Sequence, residues 1–316
     1  MTQTSAIMDA PFSYGEPLAA ELAGRVSGGT LIQRDEPLAR RTTLRVGGPA
    51  DVYVEPASEA DLAAVLKFCG EHEVNFFILG RGSNLLVRDG GFRGVVICLA
   101  HPHFSQIEIV GERLRCGAGA KLKQVAVEAK RNSLTGVEFL EGIPGSVGGA
   151  LRMNAGAMGM WTFNAVESLR FMDYAGRILD ALATEVPTEY RRCPMLQKHI
   201  ALGATFKCQP AARVEVEQRM SEYSRKRWDS QPAAPSAGCM FKNPATMPAG
   251  KLIDELGLKG TRVGGAVVSA EHGNFIINDG TATARDVLEL IAILQGRIKA
   301  ERGIELHPEV EIIGQD

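Results

Sequence analysis

Apolar residues in this chain change their spacing from segment to segment, and each spacing predicts an element. Residues 51–55 alternate as Asp, Val, Tyr, Val, Glu and read as a strand. Ser58 and Asp61 have the spacing of a capping box, and Leu62, Val65, Leu66 and Cys69 follow at helical intervals. Phe76, Phe77, Ile78 and Leu79 run without a polar break, as a buried strand does. Residues 94–98 predict another strand, and residues 122–130 a short helix with Val125 and Ala129 on one face. Residues 169–172 and 178–182 flank a turn at Tyr174, Ala175 and Gly176, and residues 201–208 form the last strand of this region.

The pattern then changes. Residues 214–228 predict a polar helix rich in Glu and Arg, and Pro232 and Pro235 stiffen the connector 231–235. Beyond it come a helix at 249–256, strands at 266–268 and 274–277, and an amphipathic helix from Ala284 to about Glu301. Val287, Leu288, Ile291 and Leu294 form its apolar face. Residues 310–313 close the series as a strand. This order predicts an α+β fold with a second, smaller lobe. The boundary is expected near 205–215, where Gln209, Pro210, Ala211 and Ala212 break the pattern. The expected units are a lead-in at 1–30, with 1–14 a mobile tail, a first domain at 31–210 and a second at 211–316.

Composition narrows the function classes. At 316 residues, 45% apolar and 23% charged, the chain is an ordinary soluble globular protein large enough for two lobes. A formal net charge of −2 gives no electrostatic reason to expect nucleic acid or an anionic membrane as partner. With no bilayer-length apolar run and no basic-then-apolar leader, a cytoplasmic protein is expected. The six cysteines contain no Cys-x-x-Cys pair and read as reduced thiols. His101 and His103 are two apart but have no further ligand at a suitable spacing, so no metal site is expected.

Two glycine-rich segments carry the strongest chemical signal. Gly80, Arg81, Gly82, Ser83 and Asn84 follow the apolar strand directly. About sixty residues on come Gly142, Pro144, Gly145, Ser146, Gly148 and Gly149. Glycine lets backbone N–H groups converge and removes the Cβ atoms that would block a ligand. Two such loops suggest a large anionic ligand such as a dinucleotide. Neither has Walker or Rossmann spacing, so neither of those folds is expected to hold it. Pro144 fixes the shape of the second loop, and Asn154 and Gly156 extend a small-residue surface that a flat ring system could approach.

Other residues are ambiguous by themselves. Cys239, three residues before Lys242, could donate a proton or be one more small buried hydrophobe. Tyr190, Arg191 and Arg192 place a phenol beside two cations that could simply be solvated. Glu309 precedes the last strand, where surface carboxylates are common. No Gly-x-Ser-x-Gly elbow supports a hydrolase.

In order along the chain, residues 42–50, 80–86, 142–157, Tyr190 with Arg191, 237–244, 249–265, 272–278 and 307–314 together resemble the UDP-N-acetylenolpyruvoylglucosamine reductase family. That resemblance implies an FAD-binding lobe of the vanillyl-alcohol-oxidase type, then a smaller α+β lobe that closes over a UDP-sugar. The two loops, with Gly47, Asn154 and Gly156, would hold FAD, non-covalently because residues 80–84 contain no histidine. NADPH would be the co-substrate. The implied reaction is reduction of UDP-N-acetylglucosamine enolpyruvate to UDP-N-acetylmuramate, a step of peptidoglycan precursor synthesis.

Arg191 matches an arginine near the enolpyruvyl carboxylate. Glu309 matches a glutamate of the same step and should have a raised pKa. Cys239 stands where the family usually has a proton-donating serine. A thiol is the stronger acid there, and it would be open to oxidation and alkylation. Tyr190, Arg227, Lys242, Asn243 and Asn274 fall near the sugar nucleotide. The short segment between Cys208 and Glu217 leaves little room for the tyrosine loop that some members carry, so the chain resembles the shorter class. A monomer is expected. Two other readings compete: an oxygen-using flavin oxidoreductase on the same fold, and a non-catalytic nucleotide-binding module.

Overall fold

The computed structural model describes residues 15–316, so the expected tail at 1–14 lies outside the described residues. The first layer is a four-stranded mixed sheet in the order Leu31–Pro37, Pro49–Glu55, Phe92–Cys98, Phe76–Leu79. The first pair is antiparallel and the other two are parallel. Helix Glu59–Glu71 covers one face, burying Leu62, Val65, Leu66 and Phe68 with Val52, Val54, Val95 and Ile97. Ser58 caps this helix by accepting the Asp61 N–H at 3.1 Å. The reciprocal half of the box is replaced: the Asp61 carboxylate accepts the N–H and the hydroxyl of Ser27, each at 2.8 Å. Two well-directed donors from the lead-in outcompete one helix-terminal amide.

The second layer is a five-stranded antiparallel sheet in the order Ile178–Leu182, Val166–Asp173, His199–Lys207, Arg113–Gly117, Ile107–Val110. Helix Leu122–Arg131 packs on it through Leu122, Val125, Ala126 and Ala129. Helix Arg213–Trp228, placed by sequence at the start of the second domain, buries Val216 and Met220 in this same core. Its apolar stripe is that narrow, so it can only lie on a wall that already exists. The break between cores therefore follows it, in the segment before Ser236.

The C-terminal core packs helix Ala284–Arg302 on an antiparallel sheet in the order Ser236–Cys239, Phe275–Asn278, Ala266–Val268, Arg262–Val263. Val287, Leu290, Ile291, Leu294 and Ile298 are buried, while Leu288 is only partly covered. Thr283 and Asp286 complete a capping box, and Gly303 ends the helix at φ 66°. The last strand, Glu311–Ile313, leaves this core. It pairs in parallel with Leu85–Val87, immediately after the first glycine loop. The two lobes are also joined through residues 42–45: Thr43 Oγ1 donates to the Ser236 carbonyl at 2.7 Å, and Asn278 Nδ2 donates to the Leu44 carbonyl at 3.0 Å.

Candidate active site

A cleft of about 1660 Å³ runs where the two sheets of the first lobe meet the C-terminal lobe, and both glycine loops line it. Gly82 sits at φ 59°, and a Cβ there would stand 2.5 Å from the Arg41 carbonyl oxygen, so both conformation and space demand glycine. The loops meet: a Cβ on Gly80 would lie 3.1 Å from Ser146 Oγ. Gly142 is different. No atom lies within 4 Å of its Cβ position, so a side chain there would occupy open cleft. This cradle of backbone, with Arg81 and Pro144 also in the wall, fits a long, flat, anionic dinucleotide such as FAD.

Of the expected cofactor residues, Gly47 and Asn154 are not in this wall. Gly47, at φ 116°, is pressed against Val87, whose Cβ is 2.6 Å from the Cβ position of Gly47. Asn154 donates to the Glu189 carbonyl at 3.3 Å and accepts the Phe163 N–H at 3.3 Å. Both residues shape the walls from behind.

At one end of the cleft Arg191 Nε donates to Glu309 Oε1 at 2.8 Å, with side-chain exposures of 24% and 9%. Arg191 adopts φ 57°, the left-handed region that a side-chain-bearing residue holds only when its surroundings enforce it. Its guanidinium also lies over the rings of Trp161 and Tyr190, 5.7 and 5.5 Å from their centres. Glu309 is tied on two sides. Its N–H donates to the Met240 carbonyl at 2.8 Å, and its carbonyl accepts Asn84 Nδ2 at 3.2 Å. The first glycine loop, the Cys239 strand and Glu309 are thus bound together.

Burial raises the Glu309 pKa above the ordinary glutamate range, and Arg191 and Lys242 pull it back without cancelling the rise. Burial likewise pushes the Cys239 thiol up to about 11; Glu309 adds to the rise, while Arg191 and the hydrogen bond with Asn274 oppose it. The thiol therefore keeps its proton at neutral pH. Cys239 is partly exposed in the cleft wall, so a reagent can reach it, but the raised pKa leaves little thiolate to react at neutral pH.

The expected sugar-nucleotide residues divide. Arg227 lines the cleft, burial lowers its pKa, and its Nε is buried without a hydrogen-bond partner among the described residues. Lys242 lines a smaller pocket of about 180 Å³, which shares Asn84, Arg152, Arg191, Glu309 and Glu311 with the cleft. Tyr190 is 51% exposed and packs edge-on to Trp161 at 5.6 Å.

Two asparagines serve the fold. Asn243 Oδ1 accepts the Ala249 N–H at 3.0 Å, at the start of helix Ala249–Glu255. Asn274 is buried and clamps Phe241, accepting its N–H at 2.9 Å and donating to its carbonyl at 2.8 Å. Sequence reasoning passed over Arg152 and Glu311, whose Nη2 and Oε1 are 2.9 Å apart beside the Arg191 pair. A lone arginine ending the second glycine segment was the available signal. Among the described residues no group of three or more His, Cys, Asp or Glu could hold a metal, and His101 Nδ1 accepts the His103 N–H at 3.2 Å.

Comparison with known proteins follows the same division. An FAD binding domain family matches residues 50–182, and the C-terminal domain family of UDP-N-acetylenolpyruvoylglucosamine reductase matches residues 231–313. The UDP-N-acetylenolpyruvoylglucosamine reductase of Clostridium botulinum (strain Alaska E43 / Type E3) is 42% identical over 289 residues, 91% of this chain and 94% of that one. Its counterpart in Geobacter metallireducens is 44% identical over 300 residues, 95% of this chain and 97% of that one. The crystal structure of the Thermus caldophilus UDP-N-acetylenolpyruvylglucosamine reductase superposes with a TM-score of 0.78 at 38% identity, covering 90% of this chain and 98% of that one.

Proposed function

Because the chain belongs to the UDP-N-acetylenolpyruvoylglucosamine reductase family, FAD-dependent oxidoreductases with a vanillyl-alcohol-oxidase-type lobe, we propose that it reduces UDP-N-acetylglucosamine enolpyruvate to UDP-N-acetylmuramate with NADPH. The chemistry supplied with FAD bound is carriage of a hydride from NADPH to the terminal vinyl carbon of the enolpyruvyl ether. In that addition the double-bond electron pair moves to the carbon bearing the carboxylate, and this carbon then takes a proton.

Arg191 supplies a fixed cation for the carboxylate into which that charge spreads, where a preorganised charge is most effective. Glu309 holds Arg191 in place. Burial raises the Glu309 pKa, the direction that lessens the repulsion a carboxylate offers the developing anion. Cys239 Sγ–H donates the final proton and recovers it from solvent, since its pKa of about 11 makes the thiolate a strong base. The unpartnered Nε of Arg227 and the ammonium of Lys242 are offered to the sugar nucleotide, with Tyr190 at the rim. A monomeric cytoplasmic enzyme is the proposed working form; no helix among the described residues is long and apolar enough to cross a membrane.

The observation that carries this reading is the meeting of Arg191, Glu309 and Cys239 in the wall of the same cleft that both glycine loops line. Under anaerobic conditions, stoichiometric NADPH should bleach the bound flavin, and the enolpyruvyl sugar nucleotide should restore its colour. Bleaching without recovery would mean a different acceptor and would overturn the proposal.

A further inference from the structure

Arg152 has no part in the steps above, yet its contacts reach both chain segments that carry the reactive ion pair. Nη2 meets Glu311 Oε1 at 2.9 Å, two residues beyond Glu309. Nη1 donates to the Leu196 carbonyl at 3.1 Å, on the loop that follows Arg191. The backbone carbonyl of Arg152 accepts the Cys193 N–H at 2.9 Å on that same loop. Arg152 itself ends helix Val147–Arg152, which leaves the second glycine loop.

We propose that Arg152 is a positioning residue for the reduction of the sugar nucleotide: one guanidinium fixes the loop bearing Arg191 against the segment bearing Glu309. The inference rests on the roles proposed above for Arg191 and Glu309. Three physical points support it. Arg191 sits at φ 57°, a conformation that external contacts must hold in a non-glycine residue. The Arg152–Glu311 and Arg191–Glu309 pairs line one small pocket of about 180 Å³, so freeing the Glu311 carboxylate changes the charge that Arg191 meets there. A planar guanidinium can also serve two acceptors at a fixed angle, which an ammonium cannot. With side-chain exposures of 31% and 38%, the Arg152–Glu311 pair contributes little to global stability. Its effect belongs in the rate.

The test uses FAD-loaded, NADPH-reduced enzyme and follows reoxidation by the enolpyruvyl sugar nucleotide across pH. The proteins are Arg152→Ala, Arg152→Lys, Glu311→Ala, the double alanine variant, and Arg191→Ala as reference. Misplacement by a fraction of an ångström to an ångström should slow reoxidation of Arg152→Ala roughly 10- to 100-fold, with flavin reduction by NADPH and the melting temperature close to the parent values. Arg152→Lys should recover part of the rate. The double variant should be no slower than the slower single one, because both substitutions break the same link. The alkaline limb of reoxidation should move to higher pH, since a loosened Arg191 no longer holds down the proton affinity of Glu309.

The proposal is overturned if Arg152→Ala reoxidises at the parent rate, if it slows both half-reactions alike, or if the double variant is additive. Should Arg152→Ala fail to fold, Arg152→Lys and Glu311→Ala carry the same comparison. Normal reoxidation by Arg191→Ala would instead overturn the reading underneath. A slow Arg191→Ala beside a normal Arg152→Ala would overturn the clamp alone.

Discussion

At Cys239, partly exposed in the cleft wall, the loss of solvation keeps the thiol proton in place. With a pKa of about 11 the thiolate fraction at pH 7 is on the order of 10⁻⁴, against a few per cent for a free cysteine. Iodoacetamide at pH 7 should therefore label Cys239 in the native protein at least about tenfold more slowly than an unstructured thiol, as read by mass spectrometry of the peptide. Cys239→Ser should keep reoxidation within about tenfold of the parent. Cys239→Ala should lose about 100-fold or more, with flavin reduction by NADPH unchanged. A normal alanine variant would leave Cys239 as packing. Glu309 gives the pH counterpart. Burial raises its pKa and the Arg191 cation lowers it, so removing that cation raises it further. If protonated Glu309 is the competent form, the residual activity of Arg191→Met should persist to higher pH than that of the parent, measured as the alkaline limb of the reoxidation profile.

Among elements, the strand Ser236–Cys239 depends on a side chain outside it. Asn274 satisfies both backbone groups of Phe241, and its own carbonyl accepts the Met240 N–H at 2.8 Å. Asn274→Ala should leave the Phe241 N–H and carbonyl buried without partners, at a cost of about 2 to 5 kcal/mol. Denaturant unfolding would show this, together with slowed reoxidation as Cys239 shifts. Asn274 also marks where the sequence was legible and where it was not. The helix from Ala284 could be read because its hydrophobic period sets the face it buries, and strands 51–55 and 76–79 because they are rich in β-branched and aromatic residues. The faces of those strands were not legible, since residues 50–54 are buried on both sides and Phe76, Phe77 and Ile78 only partly. The glycine loops could be read because their chemistry is backbone chemistry.

A polar side chain beside glycines reads the same whether it faces a ligand or braces a backbone. Asn243, Asn274 and Asn154 were therefore expected at a ligand, and the structure gives them backbone partners. The hairpin Ile107–Val110 with Arg113–Gly117 alternates around Gly111 at φ 59°, a signal that was present but unread. The lobe chosen by helix Arg213–Trp228 was not legible, because two buried residues on a polar helix do not say which wall they meet.

Across the whole molecule, the segment that carries Glu309 is shared between the lobes: His307 to Glu309 bond with Met240 and Lys242 of the C-terminal lobe, and the residues that follow are held by the first lobe. Glu311–Ile313 pairs with Leu85–Val87, the Glu311 N–H donates to the Asn84 carbonyl at 3.0 Å, and the Gly90 N–H donates to the Gln315 carbonyl at 2.8 Å. Residues 80–84 are therefore braced from behind by the strand that follows Glu309. Flavin retention and reduction of the sugar nucleotide should then fail together when that strand is removed. In a chain lacking residues 311–316, the FAD dissociation constant should rise at least about tenfold, equivalent to about 1.4 kcal/mol of lost preorganisation in the loop. Ultrafiltration followed by flavin absorbance would measure it. Helix Ala284–Arg302 draws its burial from the sheet of its own lobe, so far-ultraviolet circular dichroism should retain the helical signal. If the shortened chain held FAD as tightly as the parent and lost only reoxidation, the strand would serve Glu309 alone, and the loop would owe its shape to Gly82 and its neighbours.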